Sequence, residues 1–155
     1  MILSRIFKSV SVAAQEQRTI LELLELNEKT KASGLMLAPE EINCMMTARN
    51  QLLQNCGRLE LGIEVTKELI EVFSASPYIS QDHYASTLIE LHEIFYYAKN
   101  ETEDRIGDFK LIGIMKDHFD NECGGSLELL RSKLEEFAVT FRIEAMRNGF
   151  EGDDD

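Results

Sequence analysis

The chain has 155 residues, 44% of them hydrophobic and 8% aromatic, with nine glycines and two prolines; it is long enough to bury one core without disulfides or a structural metal, and too poor in breakers to be disordered. Twenty-eight acids against sixteen bases leave a formal charge of -12, a field that repels phosphate backbones and anionic lipid heads and attracts basic protein surfaces, so nucleic acid is not an expected partner. The three cysteines, Cys44, Cys56 and Cys123, lie far apart with no CxxC, a pattern that gives neither a disulfide framework nor a zinc site and suits a reducing cytoplasm.

The first segment, MILSRIFKSVSVAAQ, places apolar residues at 2, 3, 6, 7 and 10 with Arg5 and Lys8 among them and no acid. That is amphipathic helical spacing. It is interrupted too often for a secretory signal, which needs an apolar core of about 7 to 15 residues. No stretch of the chain approaches the roughly 18 apolar residues of a membrane span. Residues 1–14 either join the first helix or form a loosely attached amphipathic segment, for which peripheral membrane binding is a low-ranked reading.

Reading Gly and Pro as helix stops divides the remainder into about five to six helices. The first runs to Lys31 and closes at Ser33-Gly34, with Ile20, Leu23 and Leu24 on one face. Pro39, Glu40 and Glu41 open the next, which ends at Asn55-Cys56-Gly57, because proline is pre-set for a first turn and acids favour the positive helix end. Its apolar stripe, Ile42, Met45, Met46, Leu52, Leu53 and Cys56, contains Arg49, whose guanidinium therefore requires a carboxylate or water at its tip. A third helix, residues 62–75, carries Val65, Leu69, Val72 and Phe73 and stops before Pro77.

Ser80 is the expected N-cap of the fourth helix. On it Tyr84, Leu88, Leu91, Phe95, Ala98, Thr102 and Ile106 share one face, and Gly107 is the expected stop. Asp108 is then read as the cap of a fifth helix with Phe109, Ile112, Met115, Lys116 and Phe119 on one face, ending near Gly124-Gly125. The sixth starts after Ser126, repeats Leu127, Leu130, Leu134, Phe137 and Phe141, and ends at Asn148-Gly149, leaving an acidic tail at 151–155. No period-2 run is long enough for a strand and no repeat is present. The expected fold is an all-α single domain over residues 1–150, a bundle or orthogonal array.

The chemical motifs fail on spacing. His92-Glu93 has Tyr96 where an HExxH zinc site needs its second histidine. Di-iron sites need Glu-x-x-His on two helices, yet Ser80, Ile89 and Met115 stand three before His83, His92 and His118. No register around Gly107 or Gly125 places EF-hand ligands. Gly124-Gly125-Ser126 has no phosphate-loop frame and reads as a helix-linking turn. The pattern assigns no catalytic, cofactor-binding or metal residues. His92 is expected at the margin of the buried face, bonded through one ring nitrogen; His83 and His118 at exposed helix ends; Cys44 and Cys56 at core edges; and Glu101 paired with Arg105 one turn on.

The dense stretch at 92–108 supplies a candidate contact patch. Tyr96 and Tyr97 cannot both face the core, and Tyr96, Tyr97, Glu101, Glu103 and Asp104 are the expected partner-binding residues. The expected function is a non-enzymatic cytoplasmic protein-interaction module, binding a basic partner or a second copy of itself; the rival is an enzyme or a small-ligand or metal-binding protein with a polar site between helices, His92 and Glu93 among its residues.

GRLELGIEVTKELIEVF (57–73), SPYISQDHY (76–84), KNETEDRIGD (99–108) and CGGSLELL (123–130) resemble an uncharacterised family of small all-helical proteins from anaerobic Gram-positive bacteria. The resemblance covers most of the chain from about residue 35 onward. It implies a helical fold and brings no catalytic or binding residue with it.

Overall fold

The computed structural model describes residues 16–148; the amphipathic segment at 1–14 and the tail at 151–155 lie outside them. Within these limits the chain is helical with no strand. Helix α1 occupies residues 16–25, and a turn at Leu26 separates it from the short α2, Asn27–Thr30, which tightens into a 3-10 turn and closes at Gly34 in the left-handed conformation. The link that follows is strapped from two sides by amide side chains. Asn27 clamps both backbone groups of Leu37 at 2.9 Å, while Gln81 clamps those of Met36. Leu35 and Leu37 can thus enter the core without leaving buried peptide groups unbonded.

Helices α3 (Pro39–Asn55), α4 (Glu64–Phe73), α5 (Tyr84–Glu101), α6 (Asp108–Asn121) and α7 (Leu127–Arg147) form the body. Helix α5 is the central element, packing against α3, α4, α6 and α7, with α4 also against α6 and α6 against α7. A helix contacted from so many sides must be apolar almost all round. Leu88, Leu91, Ile94, Phe95, Tyr96 and Ala98 are all buried, and they meet Ile42 and Met45 of α3, Leu69 and Phe73 of α4, Ile112 and Met115 of α6 and Leu130 and Leu134 of α7 in one continuous core.

Several expected details differ. Helix α5 stops at Glu101, six residues before Gly107, because Glu103 and Asp104 both take positive φ, 55° and 59°. Such a turn is unfavourable for residues with a Cβ and is held from both sides: Asp104 N–H bonds Lys99 O, and the buried Lys99 ammonium bonds Ile106 O at 2.7 Å and Asp108 at 2.8 Å. Asp108 is therefore the first residue of α6 and not its cap, which is Gly107. Ser80 caps no helix through its side chain; a 3-10 turn, Gln81–His83, intervenes before α5. Phe109 is exposed and Leu111 takes the core position, because the buried stripe of α6 is Leu111, Ile112, Met115 and Phe119. Cys44 is exposed; Cys56 is half-buried, and Cys123 is buried.

Gly125 shows why the 123–126 turn is glycine-rich. It sits at φ 85°, and a Cβ there would meet the Tyr78 Cβ at 2.4 Å, closer than two carbons can approach. Ser126 then caps α7, its hydroxyl accepting the Leu129 N–H at 3.2 Å.

Candidate interaction surface

The sequence between α3 and α4, Arg58-Leu59-Glu60-Leu61-Gly62, alternates charged and apolar residues. By hydropathy alone the leucines of such a run would be expected inside. Here the charged residues turn inward. Helix α3 ends with Gly57 at φ 67°, and the Arg58 N–H reaches back to Leu53 O at 2.8 Å, the backbone closure that a left-handed glycine permits after a helix. Arg58 then bonds Asn100 at 2.7 Å and Asp104 at 2.6 Å, with its guanidinium carbon 5.6 Å from the centre of the Tyr96 ring. Two residues on, Glu60 accepts the Tyr96 hydroxyl at 2.6 Å and lies 3.7 Å from the Arg49 guanidinium, which also donates to Gly62 O and Asn50.

With Arg58 and Glu60 fixed inward, the intervening Leu59 and the following Leu61 face outward. They are 86% and 96% exposed. Single exposed leucines are ordinary; two on a segment whose other side chains are all bonded to the body of the fold form a preorganised apolar projection. The electrostatics agree with a tight anchorage. The hydrogen bond to Asp104 raises Arg58 further above its usual range despite partial burial, and the same bond holds the Asp104 carboxyl below the usual carboxylate range. Burial, then the Glu60 carboxylate, pushes the Tyr96 hydroxyl far up, so it remains a proton donor. Arg49, the arginine inside the α3 stripe, thus has the carboxylate that its position requires, together with a backbone carbonyl.

Beside this segment lies a cavity of about 240 Å³ between α1, α3 and the 61–63 backbone, bordered by Glu16, Ile20, Met46, Arg49, Leu61 and Ile63 among others.

The five residues expected to form a contact patch divide between two sides of α5. Tyr96 is fully buried and so presents no surface; it and Asp104 hold the leucine segment in place. Tyr97, 39% exposed, faces α7 near Arg131 and Glu135. Glu101 is bonded to Arg142 of α7, and Arg105 falls beyond the end of α5, outside the helical i, i+4 geometry expected for a pair with Glu101. Glu103 is exposed in the turn. The Leu59 and Leu61 pair was not singled out from the sequence; the signal was the four-residue alternation bracketed by Gly57 and Gly62.

His92 is more deeply placed than expected. It is fully buried and uses both ring nitrogens, Nδ1 to Leu88 O at 2.7 Å and Nε2 to the Thr66 hydroxyl at 2.8 Å. A carbonyl can only accept, so Nδ1 carries the proton and the Thr66 hydroxyl donates to Nε2. Burial is the main force lowering its pKa to about 4, with the Arg49 charge acting in the same direction against the Leu88 carbonyl. Glu93 points elsewhere, to Arg131 at 2.9 Å, so the His-Glu pair does not converge. His83 is exposed, and His118 sits 2.6 Å from Glu122 at the end of α6. Among the described residues no three His, Cys, Asp or Glu side chains are grouped to hold a metal ion, and no helix is long and apolar enough to cross a membrane.

Fold and surface together define an all-helical single domain, with a central buried helix and a tethered apolar projection. The chain belongs to the family of unknown function DUF6323, whose model matches residues 22–147. No curated protein and no solved structure matches it.

Proposed function

We propose that this chain is a non-enzymatic, cytoplasmic protein-interaction module whose contact surface is centred on Leu59 and Leu61. The observation that carries the reading is the pair's near-complete exposure on a segment anchored through Arg58 and Glu60. Burying two leucines gives about 3–5 kcal/mol gross, and a segment already held in its bound shape loses little entropy on association. The partner class that fits is a protein with an apolar pocket rimmed by bases, because the chain carries a formal charge of -12; two copies of so acidic a chain repel each other. Three cysteines without a disulfide suit a reducing compartment, and the family resemblance suggests an anaerobic Gram-positive source.

Cross-linking capture from source cells, with full-length protein and with a Leu59→Ser, Leu61→Ser variant, tests the reading. The expected result is a basic protein held by the wild type and released by the variant; retention of the same protein by both would reject it. The cavity beside Arg49 favours one second reading, a small polar ligand, for which a ligand-dependent rise in Tm abolished by Met46→Trp would be the sign.

A further inference from the structure

The two halves of α7 differ on their outward side. Its inner face is spent on α5 and α6, with Leu130, Leu134 and Ala138 fully buried. The outward positions of a helix covered on one face are ordinarily polar, and Glu128, Ser132 and Glu136, all exposed, keep to this in the first half. The second half breaks it. Val139, Ile143 and Met146 stand at i, i+4 and i+7, a spacing that sets side chains in one row, and they are 45%, 47% and 82% exposed. Scattered apolar residues are normal on a surface, whereas a row of three on one helix is a contact stripe.

Charge selects the occupant. The chain carries a formal charge of -12, yet α7 holds four acids and four bases, so the repulsion that counts against a second copy elsewhere is weakest along this helix. The stripe is also complementary to itself. In a two-fold pair every contact is made twice, with the residues exchanged. Two α7 helices laid antiparallel and crossing at the level of Phe141 set Val139 against Ile143 of the second copy, and the same register brings Glu136 to Arg147 of the second copy. Arg147 is exposed and has no ion-pair partner among the described residues. Tyr97 and the Glu101–Arg142 bond border α7 on its α5 side, which gives the apolar centre the polar rim of a protein interface.

We propose that the Val139, Ile143 and Met146 stripe of α7 is a self-association surface, on which two copies of this chain pair antiparallel about Phe141. From Glu136 to Arg147 the contact runs roughly 17 Å along the helix. That is short for an interface of the standard size, about 800 Å² per partner, so the pairing is weak and reversible, with a dissociation constant on the order of 0.1 mM. It uses other residues than Leu59 and Leu61 and does not rest on the proposed function.

Sedimentation equilibrium of the full chain from about 5 μM to about 1 mM, at about 0.15 M salt, tests it. The wild type is expected to pass from monomer to dimer within that range. Ile143→Asp is expected to raise the dissociation constant about tenfold or more, with an unchanged circular-dichroism spectrum. Arg147→Glu is expected to raise it about fivefold, and adding Glu136→Arg to restore it. The charge swap touches exposed side chains only, so it keeps the test independent of folding, and recovery requires Glu136 and Arg147 of two copies to meet. A wild type that stays monomeric at every concentration would overturn the proposal, as would self-association that survives Ile143→Asp or a swap that recovers nothing. Pairing lost in the Leu59→Ser, Leu61→Ser chain but kept in Ile143→Asp would put the second copy on the leucine segment and overturn it equally. Failure here leaves the partner surface standing, and failure of partner capture leaves the α7 pairing standing.

Discussion

Acidification isolates the contribution of His92. Its folded pKa is lowered to about 4 by burial, against about 6.5 in an unfolded chain. Between those values the unfolded chain binds a proton that the folded one refuses, so the stabilising contribution is complete above about pH 6.5 and is lost as pH falls toward 4. From about pH 7 to about pH 4.5 the linkage amounts to about 2.5 kcal/mol. Urea unfolding followed by far-ultraviolet circular dichroism, repeated across that range for wild type and His92→Gln, reads the term directly, because background carboxylates contribute alike to both. Wild type is expected to lose about 2.5 kcal/mol more than the variant over the range. Parallel curves would refute the reasoning: the imidazole would then be hydrated or already charged in the folded state. Thr66→Val, which removes the only described donor to Nε2, is expected to cost about 1–3 kcal/mol at neutral pH.

Other substitutions test other parts of the account. Gly125→Ala must displace Tyr78 and is expected to lower stability by well over the cost of Gly57→Ala, about 1–2 kcal/mol, because Gly57 shares the positive φ but has open space around it; equal losses in chemical denaturation would remove the close-approach argument. Arg58→Met is expected to cost about 1–2 kcal/mol, since the Asp104 carboxylate is more than half exposed and its ion pair is worth little, while the contact over Tyr96 adds to it. Its larger effect is expected in amide exchange, with faster exchange confined to residues 58–62; uniform acceleration along α5 would contradict a local tether. Leu59→Ser and Leu61→Ser are each expected within about 0.5 kcal/mol of wild type, and a cooperative loss of structure in either would show that these leucines support the core.

Helical periodicity was most legible where a helix is packed from several sides. All seven residues read as the buried face at 84–106 are buried, and the stripe around Arg49 held because one face of α3 meets α5. The end of α5 was not legible, since termination there depends on Asp104, one of two residues in the left-handed conformation, being bonded by Lys99 and Arg58, and no glycine marks it. Phe109 was misplaced because a first-turn residue can satisfy the spacing of a stripe yet lie beyond the helices that cover it. The depth of His92 required Thr66, 26 residues away on α4, and the inward turn of Arg58 and Glu60 required Tyr96, Asn100 and Asp104, 36 to 46 residues further on. No local pattern encodes such partners. The dense stretch at 92–108 was read as carrying a contact patch; within it Tyr96, Asn100 and Asp104 hold the neighbouring segment.

The order of the leucine segment is the quantity on which the interaction surface depends. Backbone ¹⁵N relaxation at Leu59 and Leu61 in the full chain measures it. Anchorage through Arg58, Glu60 and Gly62 predicts order parameters near those of a rigid backbone, about 0.85, falling when Tyr96→Phe and Arg58→Met are combined. Values below about 0.6 in the wild type would mean a mobile loop, and the two leucines would no longer constitute a preformed contact surface.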